Sequence, residues 1–312
     1  MKRFYSLLIS CCLPVCLAAA ETVIGKTDIA AVKESSRLKR ADDPDRPGKQ
    51  ILQARSRTAV CDFAVPGDGW RKVGLRFRAR VDGSGTVENN PLQEILPELS
   101  TLSVFRIETG GAGAGKPRGN YPFRGFIGSG SWDTYGHVFY LRPGENRVTL
   151  SVTPGKDVAA VWLDDIELLA LPGDEITANG DFSFKTANRS CGVSGFERVG
   201  CVEKQVDGTF LINTMPNGAV SMESLPVTPG KHYILNVTWN KPDNPQLRSQ
   251  INFFDADGKK LNHYVWNLNR KTAKPEGGDL LSHYEFVAPE KADSVQLYFY
   301  AGLIKRYSLK AK

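Results

Sequence analysis

Apolar and polar residues alternate along much of this chain. Val73, Leu75, Phe77, Ala79 and Val81 are interleaved with Gly74, Arg76, Arg78 and Arg80. A period of two predicts a β-strand with one apolar face and one wet face. Further strands are predicted at 102–107, 137–141, 147–152 and 160–168, and again at 232–239, 249–254, 283–287 and 294–301. Turn-forming clusters punctuate them: Arg142-Pro143-Gly144-Glu145-Asn146, Thr228-Pro229-Gly230-Lys231, Asp255-Ala256-Asp257-Gly258-Lys259 and Ala288-Pro289-Glu290-Lys291. Short strands at close spacing predict an all-β sandwich or barrel and argue against an α/β fold. The one helical candidate, Pro91 to Leu99, is brief. The glycine-rich stretch from Gly110 to Gly130 lacks the Lys-Ser/Thr pair of a phosphate-cradling loop and reads as a long surface loop.

The first twenty residues have a different texture. Lys2 and Arg3 precede an apolar run from Phe4 to Leu17, and Ala18, Ala19 and Ala20 follow it. This is the layout of a cleaved export signal, and the run is too short to span a bilayer. The protein is therefore expected to be secreted, periplasmic or at the cell surface, with no transmembrane helix. Residues 21–56 are charged and proline-marked, with few apolar positions, and read as a disordered linker. Two all-β modules are expected to follow, 57–172 and 173–312.

Charge and cysteines narrow the function classes. The formal charge of +6 falls to about +4 once the leader is removed, a modest value for this length. The basic residues are scattered, which speaks against a nucleic-acid partner. Of six cysteines, Cys61, Cys191 and Cys201 lie beyond the leader. Cys191 and Cys201 bracket a short loop and are either a disulfide, in an oxidising compartment, or two buried thiols. No Cys–His grouping has zinc spacing.

Four segments of the second module form an ordered set: Asn179-Gly180-Asp181-Phe182, Pro229-Gly230-Lys231-His232-Tyr233, Asp255-Ala256-Asp257-Gly258 and Ala288-Pro289-Glu290-Lys291-Ala292. In this order they resemble the galactose-binding-like β-sandwich, and within it the carbohydrate-binding modules of secreted polysaccharide-degrading enzymes. The first module resembles the same superfamily more loosely, through Leu141-Arg142-Pro143-Gly144 and Val161-Trp162-Leu163-Asp164-Asp165-Ile166. The resemblance implies two tandem antiparallel β-sandwich (jelly-roll) modules. It implies a polysaccharide or glycan ligand, with a separate polypeptide as any glycan-degrading enzyme partner. Ser183 stands where the family usually has an acidic residue, and the last strand lacks its usual Asp, so the family's structural calcium is not expected in the second module. In the first module Asp164 or Asp165 is a candidate oxygen ligand for a structural calcium.

Sugar sites combine flat aromatic faces with amides and carboxylates. Strand phase places Val295, Leu297 and Phe299 on one face and Gln296, Tyr298 and Tyr300 on the other. The same reasoning leaves Gln250 and Asn252, and His283 and Glu285, opposite buried neighbours. These sets are expected to tile one exposed concave surface, walled by Trp266. The competing reading is that the tyrosines pack on a second half-buried face or on the first module. Trp239 and Trp162 are expected in the core, whereas Trp70 and Trp132 either stack a ligand or cover an edge. No nucleophile elbow or zinc-protease helix is present, and a faint likeness of Tyr298-Phe299-Tyr300-Ala301-Gly302 to alginate lyases lacks the paired arginines of that family. A non-catalytic glycan-binding protein is the expected function. The alternatives are a structural or adhesive extracellular protein binding other proteins, and then a lyase or hydrolase.

Overall fold

The computed structural model describes residues 21–83, 103–111, 123–127, 132–155, 158–172, 176–177, 201–204, 210–213, 219–220, 224–240, 246–269, 271–300 and 303–312. Among these the protein is all-β, with one short 3-10 turn at Ile29–Ala31. The strands form four antiparallel sheets, stacked as two tandem sandwiches.

The first sandwich contains β1 (Thr22–Lys26), β2 (Leu38–Asp43), β3 (Arg46–Ala54), β4 (Thr58–Ala64), β5 (Arg71–Gly83), β6 (Ser103–Gly110), β7 (Phe123–Ile127), β8 (Asp133–Leu141), β9 (Arg147–Thr153) and β10 (Val158–Ala170). One sheet runs β2-β3-β10-β5-β8, with β1 also paired to β10, and the facing sheet runs β4-β9-β6-β7. The alternation in β5 behaves as its sequence predicts. Val73, Leu75, Phe77, Ala79 and Val81 are all buried, and they pack on Phe105, Ile107, Val148, Leu150 and Val152 from the facing sheet. Phe77 meets Phe105 edge-on and stacks on Tyr135.

Two expectations are corrected here. Residues 21–56 are not a linker. β2 and β3 form a hairpin whose second strand pairs with β10, from Val161↔Ala54 to Leu163↔Leu52, and Leu38, Leu52 and Ala54 enter the core. Backbone pairing needs few apolar side chains, so a charged segment can still be a strand. Within the stretch read as a surface loop, β7 pairs with β6.

β10 contains a bulge. Asp164 pairs with Arg78 and Glu167 with Arg76, so two residues, Asp165 and Ile166, oppose the single residue Phe77. Asp165 takes a positive φ of 46°. The extra residue resets the strand's phase. Leu163 and Ile166 both face inward, while Asp164 and Glu167 both face outward.

The second sandwich contains β11 (Cys201–Lys204), β12 (Phe210–Asn213), β13 (Ala219–Val220), β14 (Leu225–Pro226), β15 (His232–Asn240), β16 (Gln246–Phe254), β17 (Lys260–Asn269), β18 (Lys274–Glu276), β19 (Asp279–Val287), β20 (Ser294–Tyr300) and β21 (Leu303–Ala311). One sheet runs β11-β12-β21-β15-β19-β18 and the other β13-β20-β16-β17, with β14 also paired to β20. Trp239 is fully buried between them and donates to the Ser282 hydroxyl at 3.0 Å, which satisfies its ring N–H.

The two sandwiches touch. On the outer face of β8, Val138 is buried among the apolar residues of the second core, and Tyr140 and Leu171 pack against that core. Trp70 meets Tyr140 edge-on and donates Nε1–H to Asp293 at 3.4 Å. Gly74 pairs with Val138 in register, so the interface falls where the outward row of β5 changes from arginine to glycine.

Candidate functional site

The expected trough divides between two sheets. Gln250 and Asn252 on β16 lie beside Tyr298 and Gln296 on β20, in the five-stranded sheet. His283 and Glu285 lie on β19, which pairs with β15 in the six-stranded sheet. The two sets therefore sit on opposite faces of the sandwich. The first set is also covered: Asn252, Gln296 and Tyr298 are 5%, 4% and 7% exposed. These groups bond to one another, Gln250 Nε2 donating to Asn252 Oδ1 at 2.6 Å and the Tyr298 hydroxyl to Gln296 Oε1 at 2.8 Å. Such bonds are what make burial of amides and phenols tolerable. Trp266 does not wall a trough, because it stacks on Tyr284 at 4.8 Å and packs on the core. The side chain of Tyr300 and the Cys191–Cys201 pairing lie outside the described residues.

His283 and Glu285 remain in solvent, with side chains 53% and 44% exposed. They sit in a lattice fixed by strand register. Across the outer face one row reads Lys310, Ile234, Glu285; the next reads Ser308, Asn236, His283; the third reads Arg306, Thr238, Leu281, Lys274. His283 Nδ1 is 2.9 Å from Asn236 Oδ1, and its Nε2 is 3.3 Å from Glu285. Lys312 reaches Glu285 at 2.9 Å. Lys312 first, and then His283, hold the Glu285 carboxyl below its ordinary range. The strand at His232–Trp239 is legible from sequence and its phase puts Asn236 on the outward face, but its place beside His283 depends on strand order, which the local pattern does not carry. Ser308 and Arg306 could not be placed even on that face, because β21 has no turn signal to set its phase.

The outer face of the first sandwich carries a second polar cluster, and here the candidate calcium ligands meet protein cations. The Asp164 carboxylate is 1% exposed. It is bonded to Arg46, lies 2.5 Å from Lys49 and is 3.8 Å from Arg78. Asp165 faces Lys49 at 3.3 Å and Arg78 at 3.8 Å. Any calcium here would have to displace two guanidinium groups and an ammonium. Burial raises the Asp164 carboxyl, but the bonds from Lys49 and Arg46 outweigh that and leave it below the usual range. Arg46 and Arg78 both lie over the Trp132 ring, at 5.8 and 5.2 Å. Trp132 is thus covered by cations, Trp70 is an interface residue, and Trp162 is half-buried on the outer face rather than in the core. Burial pushes the Cys61 thiol up to about 11, well above the range of a reactive thiolate. Among the described residues no three His, Cys, Asp or Glu side chains converge as a metal site, and no helix is long and apolar enough to cross a membrane.

No family model and no curated protein matches this sequence. Among solved structures, the chain is similar to the tandem CBM22 carbohydrate-binding domains from Paenibacillus barcinonensis, at 12% identity over 95% of this chain and 100% of that one, with a TM-score of 0.32. It is also similar to a triple jelly-roll protein of an archaeal virus (10% identity, 88% of this chain and 59% of that one, TM-score 0.29). A third likeness is to a protein from Parabacteroides distasonis (10% identity, 94% and 86%, TM-score 0.21). Scores this far below 0.5 say nothing about what the chain binds.

Proposed function

We propose that this chain is an exported, non-catalytic glycan-binding protein whose contact surface is the outward face of the six-stranded sheet in the second sandwich. The observation that supports this is the row Ser308, Asn236, His283, which aligns a hydroxyl, an amide and an imidazole on three adjacent strands. Neighbouring strands are about 4.8 Å apart, so the row presents polar groups at close, regular spacing on a rigid sheet. Such groups bond sugar hydroxyls, which both donate and accept. No aromatic side chain is described on this face, so hydrogen bonds and charge take the place of ring stacking. The buried Gln250, Asn252, Gln296 and Tyr298 group belongs to the architecture and not to the contact surface.

The test is retention of the protein, without its leader, on native gels containing neutral and acidic polysaccharides. His283→Ala and Asn236→Ala are each expected to weaken retention about tenfold, equivalent to about 1.4 kcal/mol, with the melting temperature unchanged. Tyr298→Ala should instead lower the melting temperature. If both sheet-face variants bind as the parent does, the surface is wrongly assigned.

A further inference from the structure

The two outward sheet faces differ in how their charges are balanced. On the first sandwich each outward arginine of β5 has a carboxylate: Arg76 has Glu167 at 3.0 Å, Arg78 has Asp164 and Asp165, and Arg80 has Asp45 at 2.8 Å. On that face Lys39, in the Arg80 row, pairs with none of these carboxylates, and the arginine lattice itself is neutralised. On the outward face of the second sandwich Glu285 is paired with Lys312 and Asp279 with Lys305 at 2.8 Å, while Glu276 accepts from the Thr238 hydroxyl at 2.9 Å and keeps its charge, so the face still carries more unpaired cations than carboxylates. Arg306, Lys310 and Lys274 are left over. All three are exposed, and none has an ion pair or side-chain hydrogen bond to a described residue.

Their positions are set by the register. Lys310 and Arg306 flank Ser308 on β21, about 13 Å apart at the rise of an antiparallel strand. Lys274 stands at the far end of the Arg306 row, three strands across. The unpaired cations thus stand at three corners around the Ser308, Asn236, His283 row, with Glu285 near the fourth. An exposed cation without a partner interacts with whatever anion arrives, and several on one face attract a polymer that repeats its charge.

Resting on the glycan-binding reading, we infer that the ligand is an acidic polysaccharide, carboxylated or sulfated. Its acid groups lie on Arg306, Lys310 and Lys274, and its hydroxyls lie on the polar row between them. Neutral glycans lack the charge this face leaves unmatched.

The experiment uses the whole chain without its leader, with four immobilised polymers: polygalacturonate, dextran sulfate, dextran and polyglutamate. Arg306→Ala/Lys310→Ala is compared with Arg37→Ala/Lys39→Ala, which removes the same charge from the first sandwich. The expected result is retention on polygalacturonate or dextran sulfate at least tenfold tighter than on dextran. That retention should weaken with salt and fall tenfold or more in the Arg306/Lys310 variant alone. The polymer retained identifies the acid group as carboxylate or sulfate. Retention on dextran, undiminished in the Arg306/Lys310 variant, overturns the acidic ligand but leaves glycan binding standing. Equal retention on polyglutamate overturns the polysaccharide class, since any polyanion then suffices. Failure on all three polysaccharides overturns both readings. Equal melting temperatures of the two variants establish that a loss is not unfolding.

Discussion

Asp164 shows how a single residue can look like one thing in sequence and be another in the fold. An Asp-Asp pair in the middle of an apolar strand has the composition of a cation site. The cations that occupy it come from β3 and β5, at a distance no local pattern reports. Arg46 and Lys49 keep 33% and 35% of their side chains exposed, so water screens the cluster in part. Asp164→Ala is expected to cost about 1–3 kcal/mol, less than the 3–5 of a fully buried pair, measured by urea unfolding. The sign of the pH effect follows from the lowered carboxyl. Its stabilisation is complete above the unfolded-state pKa of about 3.9 and is lost as pH falls through the lower folded-state value. Asp43, Asp62 and Glu167 are shifted the same way. Melting temperature should therefore drop on acidification from about pH 5, and Asp164→Asn should flatten that acid limb relative to the parent.

At the scale of elements, alternation was readable wherever a strand has one apolar face. The inward rows of β5, β16 and β20 are where period two puts them, and Trp239 is in the core. Two kinds of information were not in the local pattern. Periodicity says that Gln296 and Tyr298 share a face but not that the face is covered. It also gives no strand order, and β19 pairs with β15 rather than with β16 or β20, which is what separated His283 from Tyr298. The opening strands were missed for a third reason. β1 and β3 are held by backbone pairing to β10 and β2 by pairing to β3, and the three strands bury only Leu38, Ile51, Leu52 and Ala54 as apolar side chains, so their composition looks like that of a solvated segment. Deleting residues 21–56 should therefore unfold the first sandwich, exposing one edge of β10 and uncovering the core beneath Leu52. Circular dichroism and limited proteolysis of the 57–312 fragment will show it, and a well-folded fragment would contradict the pairing described here.

Over the whole molecule, the outer face of one sheet serves two purposes. Its Arg76, Arg78 and Arg80 end is a charge lattice in water, and its Gly74 and Val138 end is seated on the second core. Burial of Val138, with Tyr140 and Leu171 beside it and Trp70 bonded across to Asp293, ties the sandwiches together. Calorimetry on the parent should give one cooperative transition. Val138→Asp places a charge in that seam, and should resolve two transitions and lower the first. The seam also bears on how the protein can be dissected. A gene fragment ending after Leu171 would produce a molecule with a greasy flank of valine, tyrosine, tryptophan and leucine, prone to stick to itself and to column matrices. Apparent polysaccharide capture by such a half would then report that stickiness and not recognition, unless the flank had first been recoloured with polar residues.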